Sequence, residues 1–324
     1  MPAESSFAFG PDDGLIGTMT LPDRVASRPR RIGLLLFNAG VIHRIGPHRL
    51  NVKLARTACE LGVPSLRFDI HGQGDSARAQ GRLGYLDQVV QDLRVAMDEL
   101  ARRGSVDRFA ILGFCSGAPS ALRTALTDPR VASILLYDGF TYPTLKSRLR
   151  RYALRIRQHG LARAVGNWLL HNDSSARAWL LRPSRAWRSL LDRVSSEERK
   201  MQGDISQGEL VRALNILVER GVRVTVLHSG DGFEQRNYAS QFRDATKRYG
   251  LSPDVVTSFL PQINHVVTSL KAQQAFCDYV IGCWLRDACS TRPLGESAPA
   301  RPQATPSRLD AVTTLQRLEQ ERVR

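Results

Sequence analysis

Gly113-Phe114-Cys115-Ser116-Gly117 stands where an apolar run from Arg108 to Phe114 ends and a helical pattern from about Ala118 to Leu126 begins. A sharp strand-to-helix turn of the form Gly-x-nucleophile-x-Gly needs small residues two before and two after its centre. Cys115 meets that requirement. Ser116 does not, because centring the turn on it would put Phe114 at a position that needs a small residue. The following helix begins beneath the central side chain, and the positive end of its dipole favours a thiolate and a developing oxyanion. A buried cysteine in a glycine-bounded turn would read the same locally; the strand–turn–helix context favours a nucleophile.

A nucleophile needs a base, and the base needs an orienting acid. Where such an elbow carries a triad, the order along the chain is nucleophile, acid, histidine. The histidines after Cys115 are His159, His171, His228 and His265. His265 follows the last strand-like run and precedes the last helical one, which selects it as the base. Asp231, between two glycines just beyond the strand-like residues 222–230, is the expected acid, with Glu234 in reserve. A Gly-Asp-Gly sequence is also plain turn chemistry. Two backbone N–H donors would complete an oxyanion hole, one from Ser116 and one from the Asn38-Ala39-Gly40-Val41 loop, with Gly40 as donor because a small residue allows close approach. The glycine-rich run Asp69 to Ser76 lacks the Lys-Ser/Thr of a phosphate loop and does not make Gly-x-Gly-x-x-Gly, so it reads as a tight structural turn. The chemistry expected is acyl transfer through a thioacyl-enzyme formed from an ester or thioester. Water would resolve it by hydrolysis; an alcohol or amine would make the protein an acyltransferase. No cofactor and no metal is expected.

The elements that would position these residues alternate. Strands are expected at 5–9, 15–21, 31–40, 63–70, 108–114, 131–140, 222–230 and 255–261. Helices are expected at about 47–61, 85–103, 118–126, 206–220, 236–249 and 266–288. In the helix at 85–103, Leu86, Val89, Val90, Leu93, Met97 and Leu100 recur at spacings of three and four. Strands alternating with helices imply an α/β fold with a mostly parallel sheet covered by helices on both faces. The alternation breaks after the sixth strand. Residues 141–205 form a basic, helical insert, read as a cap over the C-terminal edge of the sheet, where open α/β folds place their sites. The hydrolase-like core is thus expected in two parts, 1–140 and 206–289. Residues 290–324 read as a disordered tail, in which Leu309, Val312, Leu315 and Leu318 could form a short terminal helix.

The 324 residues are 42% hydrophobic and 24% charged, which excludes wholesale disorder. No apolar run approaches the ~20 residues of a membrane span, and no secretory signal opens the chain. Five cysteines without zinc spacing read as thiols of a reducing, cytoplasmic compartment. The net charge is +15, and residues 141–200 hold 14 Lys/Arg against four Asp/Glu together with Trp168, Trp179 and Trp187. Trp168 and Trp179 are candidate substrate-binding residues of an acyl tunnel; docking of the cap on the core would use them equally well. A basic outer face would suit an acyl carrier protein, a coenzyme A thioester or an anionic membrane surface. Nucleic acid is not expected as a partner, since no nucleic-acid-binding motif accompanies the charge. A degenerate, non-catalytic binding module is the remaining reading, disfavoured by complete Cys, Asp and His candidates in triad order.

With these residues in place, the chain resembles the α/β-hydrolase superfamily over about residues 5–288. More narrowly, it resembles the exosortase-system-associated hydrolases. That likeness rests on Asn38-Ala39-Gly40 followed by Arg44-Ile45-Gly46-Pro47-His48-Arg49, on Arg67-Phe68-Asp69 through Gly74-Asp75-Ser76, and on a cysteine in the elbow. Cysteine at that position is also similar to dienelactone hydrolases and polyhydroxyalkanoate synthases, the latter longer than this chain. The resemblance implies an α/β-hydrolase fold with Cys115 as nucleophile, Asp231 as acid and His265 as base. The basic cap and the tail have no counterpart in it.

Overall fold

The structure is a computed structural model describing residues 3–22, 31–151, 153–154, 157, 205–230 and 236–290. Most of the expected cap, with Trp168, Trp179, Trp187, His159 and His171, lies outside the described residues, as do Asp231, Glu234 and the tail from 291 on.

Eight strands among the described residues form one sheet: β1 (Ala3–Phe9), β2 (Leu15–Leu21), β3 (Ile32–Leu36), β4 (Ser65–Asp69), β5 (Arg108–Phe114), β6 (Val131–Tyr137), β7 (Arg223–Ser229) and β8 (Val256–Leu260). Their order is β1-β2-β4-β3-β5-β6-β7-β8. The β1–β2 and β2–β4 pairs are antiparallel; all others are parallel. Every residue of β3, β4 and β6 is buried, as strands covered on both faces require.

Successive side chains of each strand alternate between two apolar layers. In β3, Leu35 enters one layer while Ile32, Leu34 and Leu36 enter the other. The first layer is closed by α2 (Tyr85–Gly104), α3 (Ala118–Thr127), α4 (Gln207–Glu219) and α5 (Gln241–Thr246). The second is closed by α1 (Leu50–Glu60) and by α6 (Leu270–Cys277), which runs on through a π-helical stretch (Asp278–Leu285) into α7 (Arg286–Ser290). Ser206 caps α4 in a reciprocal capping box with Glu209, at 3.3 Å and 2.7 Å, which fixes where the chain re-enters the core. The last helix starts at Leu270 rather than near 266, because residues 264–268 fold as a loop that carries His265.

The glycine-rich turn after β4 is a hydrogen-bonded knot. The solvent-shielded carboxylate of Asp69 accepts from Asn38 Nδ2 (2.8 Å), Arg44 N (2.7 Å), Arg44 Nη1 (2.5 Å) and Asp75 N (3.2 Å). Asn38 Oδ1 accepts from Ile70 N at 2.7 Å, and its amide donates to Ile42 O at 2.7 Å. This ties the loop after β3 to the turn after β4 and so holds Gly40 in place. His43, Asp69 and Asp75 offer ligand atoms within 4.8 Å of one another, but the Arg44 guanidinium already bridges both carboxylates. The knot therefore reads as structural rather than metal-binding.

Candidate active site

Cys115 ends β5 and opens a 3₁₀ turn, Cys115–Gly117, that leads into α3. Its φ of 49° lies in the left-handed region, where a side chain is strained. A Cβ at Gly113 would fall 2.8 Å from Ala118 Cα, and one at Gly117 would fall 3.0 Å from the Phe37 ring. The two small positions expected from the sequence are thus set by close packing on either side of the turn.

His265 hydrogen-bonds to the Cys115 side chain. Its Nδ1–H donates to Asp138 Oδ2 at 2.8 Å. Three residues therefore form a continuous chain: thiol, imidazole, carboxylate. Asp231 and its reserve Glu234 lie outside the described residues, and the orienting position read onto Asp231 from the sequence is held by Asp138. Asp138 stands directly after β6 and lies between Cys115 and His265 in chain order. In the sequence, residues 131–140 read as one buried strand, which hides Asp138-Gly139 as a strand-end turn; β6 ends at Tyr137.

Close contacts hold each member. Asp138 sits at φ 52°, and a Cβ on Gly139 would meet Ala118 Cβ at 2.1 Å, so the turn after β6 lies against the start of α3. Tyr137 OH donates to the carbonyls of Asn264 and His265 at 3.1 Å and 3.2 Å, and its ring lies nearly parallel to the imidazole at a centroid distance of 6.2 Å. Val267 is fully buried at φ 52°, an uncommon conformation for a β-branched residue. It closes the turn through Val267 N to Asn264 O at 3.0 Å.

The charges follow from these contacts. The hydrogen bond from His265 lowers the Cys115 thiol against the opposing effect of burial, and Ser116 N–H adds to the lowering. Asp138, and then Cys115, push His265 up to about 10. Burial raises Asp138, yet the His265 hydrogen bond, the charge of Arg236 and two bonds from Ser229 outweigh it and hold the carboxyl below its ordinary value. The same hydrogen bond lowers Cys115 and raises His265, so the two groups titrate as a pair.

Of the two expected oxyanion donors, Ser116 meets Cys115 directly and Gly40 meets Ser116. Ser116 N–H points to the Cys115 sulfur, and Gly40 N donates to Ser116 Oγ at 2.7 Å, with Gly40 at φ 56°. His228 is a buried core histidine: its ring Nε2 is 2.7 Å from Phe140 O, and burial lowers its pKa.

No protein-family profile matches the chain, and no curated protein matches it. Solved structures do. A meta-cleavage product hydrolase from Pseudomonas fluorescens is 14% identical, with a TM-score of 0.51, over 88% of this chain and 98% of that one. An α/β serine hydrolase without lid from Xanthomonas campestris is 13% identical, with a TM-score of 0.50, over 90% and 97%. An α/β serine hydrolase homologue from Coxiella burnetii is 13% identical, with a TM-score of 0.50, over 86% and 96%. At these identities the likeness concerns the fold: the chain has the α/β-hydrolase fold, here with a cysteine at the elbow.

Proposed function

We propose that this protein is a cysteine-dependent hydrolase that cleaves a carboxylic ester or thioester through a thioacyl-enzyme. The observation that carries the reading is the Cys115–His265–Asp138 hydrogen-bonded chain at the elbow. Cys115 attacks the carbonyl carbon as a thiolate. The C–O or C–S bond to the leaving group breaks, and the imidazolium of His265 supplies the proton that group takes. Ser116 N–H and Gly40 N–H face the developing oxyanion, Gly40 once the substrate oxygen replaces Ser116 Oγ as its acceptor. Water then adds to the thioester, its proton passes to His265, and the C–S bond breaks to regenerate the thiolate. Sulfur suits esters and thioesters better than amides, because an amine competes poorly with thiolate as the group expelled from the tetrahedral intermediate.

A thioacyl-enzyme is itself a thioester and is open to attack by alcohols and amines, so acyl transfer is the second reading. The likeness to exosortase-system-associated hydrolases fits the elbow cysteine and the Asn38–Asp69–Arg44 knot. An acyl carrier protein, coenzyme A or an anionic membrane as partner remains a proposal founded on the charge of residues 141–200.

The test is turnover of p-nitrophenyl esters and acyl thioesters with mass analysis of the enzyme. Wild type is expected to gain one acyl group on Cys115 and then lose it. Cys115→Ala is expected to neither acylate nor turn over; wild-type activity in that variant overturns the reading. Adding an alcohol or amine and finding acylated product in place of free acid would favour the transferase.

A further inference from the structure

Asp138 touches more than His265. Each of its oxygens accepts one bond from Ser229 and one from a cation. Oδ1 accepts from Ser229 N at 2.9 Å and from Arg236 Nη1; Oδ2 accepts from Ser229 Oγ at 2.7 Å and from His265 Nδ1 at 2.8 Å. Arg236 is buried, reaching Asp138 from beyond the C-terminal end of β7, and its guanidinium also lies 3.4 Å from Thr141 Oγ1 and from Ser229 Oγ. Its side chain is 9% exposed and the Asp138 carboxylate is fully shielded. A charge this deep is retained only where it is paired.

The cost of that burial asks what the charge does. Among the described residues, the titratable and charged groups around Asp138 are Cys115 from the elbow, His265 from the loop after β8, His228 from β7 and Arg236. Neutral His228 leaves an alternating row: thiolate, imidazolium, carboxylate, guanidinium. Without Arg236 the row would carry a net negative charge, centred on the fully shielded Asp138 carboxylate, with the partly exposed His265 as its one cationic neighbour among these groups. With it, the row is balanced.

We propose that Arg236 is a positioning residue for the triad acid: it fixes Asp138 toward His265 and takes up part of the carboxylate charge, so that His265 can become neutral when the acyl-enzyme is resolved. This rests on the reading of Cys115 as nucleophile. In the thioacyl-enzyme the sulfur bears no charge, and water attack needs an unprotonated imidazole to accept its proton. An Asp138 charge bonded only by Ser229 besides His265 would hold the proton on His265 more tightly and push that step to higher pH. Shared with Arg236, the same carboxylate orients the ring while binding its proton less strongly.

The experiment is the pH profile of kcat on an ester whose deacylation is rate-limiting, for wild type, Arg236→Gln and Arg236→Lys. Arg236→Gln is expected to move the acid limb upward by about half to one pH unit. Arg236→Lys keeps a cation near the carboxylate and is expected to leave the limb in place even where kcat falls. An unmoved limb in Arg236→Gln, whatever its activity or melting temperature, overturns the proposal and leaves Arg236 as packing. Should Arg236→Gln not fold, Asp138→Asn and Asp138→Asn/Arg236→Gln are compared, the double variant carrying neither of these buried charges. Their limbs must coincide if Arg236 acts through Asp138, and a separation between them overturns it. Mass analysis separates the two levels of the argument: no acylation of Cys115 in wild type sinks the nucleophile reading, whereas acylation with an unmoved limb sinks only the role of Arg236.

Discussion

A thiol and an imidazole that share a proton titrate together, and the sign of the coupling is measurable. The His265 hydrogen bond holds Cys115 below its ordinary value, while burial pushes Cys277 up to about 11. At pH 6 to 7, iodoacetamide is therefore expected to modify Cys115 ahead of exposed Cys283 and buried Cys277, as read by peptide mass mapping. Asp138→Asn removes the group that holds the imidazole in orientation and charge. A loss of about 10³–10⁴-fold in kcat is expected by analogy with the serine-protease acid. Asp231→Asn is expected to lose far less; the reverse order of severity would return the acid to the loop after β7. Asp138 also predicts an effect on folding. Its carboxyl is held below the ordinary value, so near pH 3 to 4 the unfolded chain binds more protons than the folded one. Its contribution to stability is present above the unfolded pKa and is lost as pH falls through the lower folded value. Wild type is expected to lose melting temperature more steeply than Asp138→Asn across that acid window, by calorimetry.

Strand ends and the turns after them set the site more than any helix does. Cys115 and Asp138 hold positive φ on adjacent parallel strands, and Val267 does so in the loop that carries the histidine. Strain at all three places is maintained by packing around them. Gly139→Ala would drive a methyl into Ala118 Cβ and lift the acid from the elbow, so a loss of about 1–3 kcal/mol in stability is expected alongside a fall in kcat. Tyr137→Phe removes the hydroxyl that holds the histidine loop, for about 1 kcal/mol, with a larger effect on kcat than on KM. Ser206→Ala, a cap remote in sequence from the triad, is expected to cost about 1 kcal/mol with activity retained. Denaturant titration and steady-state kinetics on the three variants check this. The strands and helices were legible because apolar periodicity is a local property: the buried runs at β3 to β7 and the stripe on α2 match the folded elements closely. The Cys115 turn and the His265 loop stand out in the sequence because an elbow and a last strand-to-helix loop have local marks. The carboxylate that meets His265 does not: Asp138 reaches it from the end of a strand two places away in the sheet, a contact that leaves no periodic trace in the chain. The Asn38–Asp69–Arg44 knot escaped for the same reason, its turn residues visible but their partners distant.

At the scale of the molecule, charge and topology say different things. A net charge of +15, of which residues 141–200 carry +10, would act on association with an anionic partner. Salt shortens the Debye length from ~8 Å at physiological strength to ~3 Å at 1 M. KM for a coenzyme A or carrier-bound thioester is therefore expected to rise with salt while KM for a small neutral ester stays level; equal responses would reduce the charge to a solvated surface. Among the described residues no helix is long and apolar enough to cross a membrane. The place of the acid has a consequence for how this chain could be divided. The proposed nucleophile Cys115, its partner carboxylate Asp138 and the proposed oxyanion donors Ser116 and Gly40 lie before residue 145, and His265 lies beyond residue 205. A break anywhere in between would leave two polypeptides, one holding an assembled but baseless elbow and the other holding the base alone. The strand seam joining them is the parallel β6–β7 pair, from Ser133 opposite Arg223 to Tyr137 opposite Leu227, flanked by α1 against α6 and α3 against α4. If the proposed hydrolysis holds, turnover is expected only where the two fragments meet, each silent by itself, so that activity reports their complementation.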